Sequence, residues 1–245
     1  MEMSNRIAGD FQTDSVDDMA GVPVVPAPWH LSGRGYLALY KFNREFLKEK
    51  AFLDLDEGMT PAGGFGALMI VDYSQSDAGP YSELLFIPGK VHLEGRCWHR
   101  ITKIYVSTRV SVLNGRKNWA IPKELAVFRF SKKGRVEIID VEKEGNTFFK
   151  AGIHVCGPRF PVSTVLFPFS LLQGTTGSYL QTSFTGSGWA RPAKLRVIQS
   201  DQKYFPRLDD RRPLAVFAID PFRIVFPPAV AIGRSRGLFR RLMNL

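Results

Sequence analysis

Cysteine is nearly missing from this sequence, at two residues in 245, Cys97 and Cys156. That scarcity excludes a disulfide framework, and neither residue stands in a CxxC or other metal-ligand spacing. Both are expected as buried thiols. Histidine is as sparse, at four. His99 and His154 have no ligand-spaced partner, so both are expected to be structural. No apolar run approaches the roughly 18 residues of a membrane span. Residues Met1 to Asp18 are polar and acidic and lack a charged-then-apolar leader, which points to the cytosol. Gly63-Gly64-Phe65-Gly66 is not followed by the helix of a βαβ unit, so a dinucleotide fingerprint is excluded. Heptads, solenoid repeats and long helical patterns are missing too.

What is present is a chain that fits one large core, with 44% hydrophobic residues and a net charge of +10. The cations are spread out, except where Arg234, Arg236, Arg240 and Arg241 stand with no acid among them. No nucleic-acid module accompanies them. A solvated basic surface, or a site that attracts anionic substrates, accounts for the charge, and no nucleic-acid partner is expected.

Residues 1–26 lack periodicity and read as a flexible tail ending at Pro26-Ala27-Pro28. One domain is expected over 27–245. Ser32 to Tyr40 and Pro61 to Tyr73 read as strands, and Asn43 to Leu55 as a short helix. Arg100 to Val112 alternates and is rich in β-branched residues, which predicts a strand closed by a turn at Asn114-Gly115. Arg135 to Val141 and Asn146 to Val155 form a hairpin. Further strands fall in 170–188, Leu195 to Ser200 and Leu214 to Val225, the last broken at Asp220-Pro221. Pro227 to Leu245 reads as a short helix that packs on protein, with Leu238, Phe239, Leu242 and Met243 among arginines. The fold class is α+β, mainly antiparallel β with few short helices.

The chemistry concentrates in Gly115-Arg116-Lys117-Asn118-Trp119-Ala120-Ile121-Pro122-Lys123-Glu124. Lys123 is a cation followed closely by Leu125, Ala126, Val127 and Phe128, and Pro122 constrains how it leaves the chain. Pointing inward, it would lose stabilisation of its charged form. A neutral amine is a nucleophile suited to Schiff-base formation with a carbonyl. A surface lysine opening a short helix is the plain alternative. Elsewhere, Glu83 precedes the apolar run Leu84-Leu85-Phe86-Ile87, either at a strand edge in water or held in a pocket.

This stretch resembles the active-site segment of the acetoacetate decarboxylase family, which carries Gly-Arg, an aromatic and then Pro-Lys-Lys. Lys123 falls on the family's Schiff-base lysine, and Glu124 stands where the second lysine usually is. Tyr81-Ser82-Glu83 matches the family's Tyr-x-Glu, and Arg34-Gly35-Tyr36 its Arg-x-Tyr. The resemblance implies a curled sheet, or β-cone, around the active site. It implies catalytic roles for Lys123 and Glu83, substrate-binding roles for Arg34, Tyr36 and Trp119, no cofactor or metal, and a homo-oligomer. The expected activity is decarboxylation of a β-keto acid through a lysine iminium. Aldol or dehydration chemistry on oxo acids or aldehydes is the alternative lyase. Gly63 to Pro88 is also similar to the plant neoxanthin-deficient proteins, which leaves open a non-catalytic protein that binds an apolar, carotenoid-related ligand.

Overall fold

The computed structural model describes residues 21–56, 58–165, 169–175 and 178–233. In chain order its elements are β1 (Trp29–Phe42), α1 (Arg44–Glu49), β2 (Thr60–Gln75), β3 (Tyr81–Ile87), β4 (Lys90–Leu93), β5 (Arg96–His99), β6 (Lys103–Val106) and α2 (Arg109–Trp119). There follow β7 (Lys123–Leu125), β8 (Val127–Lys133), β9 (Val136–Lys143), β10 (Asn146–Val155), β11 (Phe160–Ser163), β12 (Ser170–Thr175), β13 (Ser178–Ser183), β14 (Thr185–Ser200), β15 (Ala215–Phe226) and β16 (Val230–Gly233). The expected α+β fold, dominated by antiparallel strands with few short helices, is what forms.

One large unclosed sheet runs β16-β13-β12-β5-β4-β2-β1-β15-β14-β10-β9-β8. β3, β6 and β7 branch from it at β2. Pairing is antiparallel except at β5/β12 and β6/β7. Alternation across the long strands builds a core on each face. Ala38, Tyr40 and Phe42 of β1, Leu68 and Ile70 of β2, and Leu84 and Phe86 of β3 pack into one core. Trp29 and Leu31, Val71 and Tyr73, and Tyr81, Leu85 and Ile87 of the same strands pack into the other. Each fully buried Leu or Phe contributes roughly 1.5–3 kcal/mol, so both faces of this central unit are firmly set. Asn43 caps α1 by accepting the Phe46 N–H at 3.0 Å.

Several expectations change. Arg100 to Val112 is a strand only over Lys103–Val106, and Arg109 to Val112 open α2. Thr108 caps that helix by accepting the Ser111 N–H at 3.4 Å. The β-branched residues cost a helix only tenths of a kcal/mol each, which packing of α2 on the second core outweighs. Asn114-Gly115, read as a turn, lies inside the helix. Asn114 is fully buried, and its amide bonds Val110 O at 3.0 Å, Pro23 O at 2.9 Å and the Val25 N–H at 2.8 Å. The residues just before Trp29 are therefore tied to α2, while 1–20 lie outside the described residues. Cys97 is exposed on the small β4–β5 hairpin and Cys156 half-buried, so neither is the buried thiol expected. Val230–Gly233 pairs with β13 as a strand instead of opening a helix, and residues 234–245, with their arginines, lie outside the described residues.

Candidate active site

α2 ends where Ala120 adopts a left-handed conformation, φ 52°, and donates its N–H to Arg116 O at 2.9 Å. The chain turns through Ile121 and Pro122 and enters β7, which lies parallel to β6 with Lys123 opposite Ile104. The Arg116 side chain donates to the carbonyl of Lys123 at 2.7 Å. The Lys123 side chain then runs across Gly115, close enough that a Cβ there would stand 2.7 Å from its Cδ and 2.8 Å from its Cε. Glycine at 115 is thus required by the lysine stem and not by a turn.

Lys123 is 4% exposed and Glu83 equally so. Its ammonium has three N–H groups, and three acceptors meet them: Glu83 Oε2 at 3.1 Å, Ser111 Oγ at 3.0 Å and Tyr81 Oη at 3.5 Å. Tyr73 donates to the other Glu83 oxygen at 3.2 Å. The ammonium also lies 5.0 Å from the Tyr81 ring centre and 5.7 Å from that of Trp29, within cation–π range. Burial, then the Glu83 charge, pushes both the Tyr73 and Tyr81 phenols well above their usual range, with Ser111 opposing part of the effect at Tyr81.

These groups stand in a cavity of about 60 Å³ whose wall is otherwise apolar, from Leu85, Ile104, Trp119, Ile121 and Phe226 among others. Trp119 meets Trp29 edge-on at 4.9 Å and donates its indole N–H to Pro227 O at 2.7 Å. Lys123, Glu83 and Trp119, chosen from the sequence, are therefore brought together.

Arg34 and Tyr36 are not. They sit on the opposite face of β1 from Trp29 and Leu31, by strand alternation. There Arg34 pairs with Glu137 at 3.0 Å and Asp72 at 3.3 Å, and Tyr36 donates to Glu137 at 2.5 Å. Burial, then the bond to Glu137, pushes the Tyr36 phenol up. The guanidinium is satisfied on the far side of the sheet, so the carboxylate-binding role expected of it has no geometry here. Glu124 also faces away from the cavity, clamped by Lys143 at 2.7 Å and Lys103 at 3.0 Å. Burial acts to raise its pKa, but the two lysines outweigh that and hold the carboxyl below its usual range.

Ser111, Tyr73 and Trp29 were not singled out from the sequence, and Tyr81 entered only within the Tyr-x-Glu match, with no role assigned. A role could have been read for it, since it stands two residues before Glu83 on one strand and so shares its face. Ser111 needed the helix to be recognised: it lies one turn ahead of Gly115 and three residues after a capping threonine.

No curated protein sequence matches the chain. Solved structures share its fold. An acetoacetate decarboxylase from Legionella pneumophila is 15% identical, with a TM-score of 0.65 over 95% of this chain and 98% of that one. The enduracididine biosynthesis enzyme MppR, solved with pyruvate, is 17% identical, with a TM-score of 0.57 over 85% and 91%. An acetoacetate decarboxylase-like enzyme from Sphingomonas wittichii is 14% identical, with a TM-score of 0.59 over 86% and 94%. The family described as acetoacetate decarboxylase (ADC) matches residues 22–161, more than half of the sequence and every group that hydrogen-bonds the Lys123 amine, and the chain belongs to that family.

Proposed function

We infer that the protein is a Schiff-base-forming lyase that decarboxylates a short oxo acid. The observation that carries this reading is the buried amine of Lys123 at the wall of an apolar cavity, 3.1 Å from the buried Glu83 carboxylate. Glu83 takes a proton from Nζ, and the freed lone pair attacks the substrate carbonyl. Water leaves and a protonated iminium forms beside the Glu83 anion. The iminium draws the electron pair of the adjacent carbon–carboxylate bond, carbon dioxide departs, and an enamine remains. Protonation of the enamine carbon and hydrolysis return the amine.

The missing guanidinium bears on which bond breaks. A carboxylate against this wall would have no cation other than Lys123, already paired, among the described residues that line it. An unpaired buried charge is costly, and loss of carbon dioxide removes it. An aldol reaction retains its carboxylate and so retains that cost. The second reading, condensation or dehydration on the same iminium, is kept by the shared fold of MppR, solved with the condensation product of pyruvate and imidazole 4-carboxaldehyde. A cavity of about 60 Å³ favours a short substrate over a carotenoid-sized ligand.

Borohydride trapping with acetoacetate, other oxo acids and aldehydes, read by peptide mass, tests the reading. An adduct on Lys123 that is lost in Lys123→Ala, with carbon dioxide released from the acid, supports it. Adduct without carbon dioxide, but with aldehyde-dependent product, moves the assignment to condensation. No adduct with any carbonyl overturns both.

A further inference from the structure

Iminium formation from an ammonium moves protons as well as electrons. Nζ begins with three protons and ends with one, and the two it gives up leave on the carbonyl oxygen as water. Glu83 can take a proton from nitrogen, and it finishes as the anion facing the iminium. Something must also place protons on the oxygen. Passing them straight from nitrogen to oxygen requires a strained small ring, which a hydroxyl held beside both atoms relieves.

Most polar hydrogens that line the cavity are already committed. Tyr73 donates to Glu83 at 3.2 Å. Trp29 donates its indole N–H to Val25 O at 3.2 Å, and Trp119 donates to Pro227 O at 2.7 Å. The three N–H groups of Lys123 face Glu83, Ser111 and Tyr81. Tyr81 differs. It is 5% exposed, lines the cavity, and accepts from Nζ at 3.5 Å. Among the described lining residues its O–H is the one committed to no carbonyl or carboxylate, its side-chain neighbour being the Ser111 hydroxyl that also accepts from Nζ. Burial and the Glu83 charge keep that phenol protonated across the working range of pH, so the proton is there to be given.

We propose that Tyr81 is a further catalytic residue, the acid that protonates the carbonyl oxygen as Lys123 attacks it. This rests on the Schiff-base reading above. The Nζ–carbon bond forms, the carbonyl π pair moves to oxygen, and the Tyr81 proton follows it. Tyr81 Oη then takes a proton from the newly bonded nitrogen. In the second stage Tyr81 protonates the carbinolamine hydroxyl, the carbon–oxygen bond breaks, and water leaves as the nitrogen lone pair forms the iminium. The proton that Glu83 took from nitrogen restores the phenol, which leaves one proton on the iminium nitrogen and Glu83 as the anion. Ser111 Oγ, 3.0 Å from Nζ on the side of α2, holds the nitrogen in place during the exchange.

Tyr81→Phe keeps the ring and removes the O–H. In wild type and variant, two rates on Lys123 are measured: borohydride-trapped adduct formation with acetone, and acylation by para-nitrophenyl acetate. The ester's leaving group departs without a proton, so its reaction reports the amine's position and nucleophilicity alone. The expected result is a fall of about 100-fold in adduct formation, the scale of a lost general acid, with ester acylation little changed. An equal fall in both makes Tyr81 a support for the lysine and overturns the proposal, as does no fall in either. Fluorinated tyrosine at 81 covers a poorly folding Phe variant, because it keeps the shape and changes only the acidity. The carbonyl rate should then shift while the ester rate holds, and an unshifted carbonyl rate counts against the proposal. A wild-type protein that gives no adduct defeats the Schiff-base reading itself; adduct in wild type with an unaffected Tyr81→Phe defeats this inference alone.

Discussion

Gly115→Ala should silence the lysine while sparing the fold. The added methyl would lie 2.7 Å and 2.8 Å from Cδ and Cε of Lys123, whereas carbons in ordinary contact stand about 3.5–4.0 Å apart. The atoms it meets belong to a flexible side chain, so the stem retreats by about 1 Å. That displacement takes Nζ out of its 3.0 Å and 3.1 Å contacts with Ser111 and Glu83. A misplacement of about 1 Å costs reactivity about 100-fold. Stability falls by no more than about 2.5 kcal/mol, because replacing a mid-helix glycine returns about 0.5–1 kcal/mol, against overpacking of about 1–3 kcal/mol. At this chain length the melting temperature shifts by about 2–4 °C per kcal/mol. The assay is borohydride trapping at Lys123 beside a thermal melt. Wild-type trapping with an unshifted melt would show that the stem is not held against α2, and the account of Gly115 would fall.

Glu83→Gln leaves the Lys123 ammonium buried without its counter-charge, which should cost about 3–5 kcal/mol in a denaturant melt. Adding Lys123→Met should recover much of that loss; a double variant no more stable than the single one would contradict the pairing. Glu124→Gln tests the clamp on the other face. The folded carboxyl is held below its ordinary value of 4.5, so its contribution is present above that pH and is lost as the solution is acidified through the folded value. Wild type should therefore melt above the variant at neutral pH, with the gap closing in acid; a gap independent of pH would refute the assignment. Arg34→Ala should leave trapping at Lys123 unchanged and lower the melting temperature, because Glu137 loses its charged partner on the far side of β1 and keeps only Tyr36. A collapse of trapping in that variant would return Arg34 to the site.

The strand-rich character and the lysine were legible because they rest on local signals. Alternation in β1, β2 and the β9–β10 hairpin set those elements, and Lys123, Glu83 and Trp119 meet as their resemblance to the family implied. The segment from Arg100 misled because its alternation of β-branched residues mimics a strand, while the capping hydrogen bond of Thr108 and the burial of Val112 and Asn114 against residues distant in sequence decide for a helix. Arg34 misled for a different reason. Which face of β1 it occupies depends on the pairing of that strand with its neighbours, and its partner Glu137 lies 103 residues away. No local pattern carries that information. Cys97 likewise looks like a core residue by type, and only its place on a small hairpin exposes it.

The alternation of β7 has a consequence for how the family's sequence can drift. Lys123 and Glu124 are neighbours in the chain but stand on opposite sides of a sheet, with hydrocarbon between them, so the strand works as an electrical partition. A charge reversal at 124 need not reset the field in the cavity; it must be answered on its own side. Here Lys103 and Lys143 supply the answer. A lysine at 124 in this background would crowd three ammonium groups together, so the pattern of two adjacent lysines cannot be restored by a single substitution. The residue beside the nucleophile therefore travels with positions 103 and 143, and relatives that carry lysine there should lack at least one of those two cations.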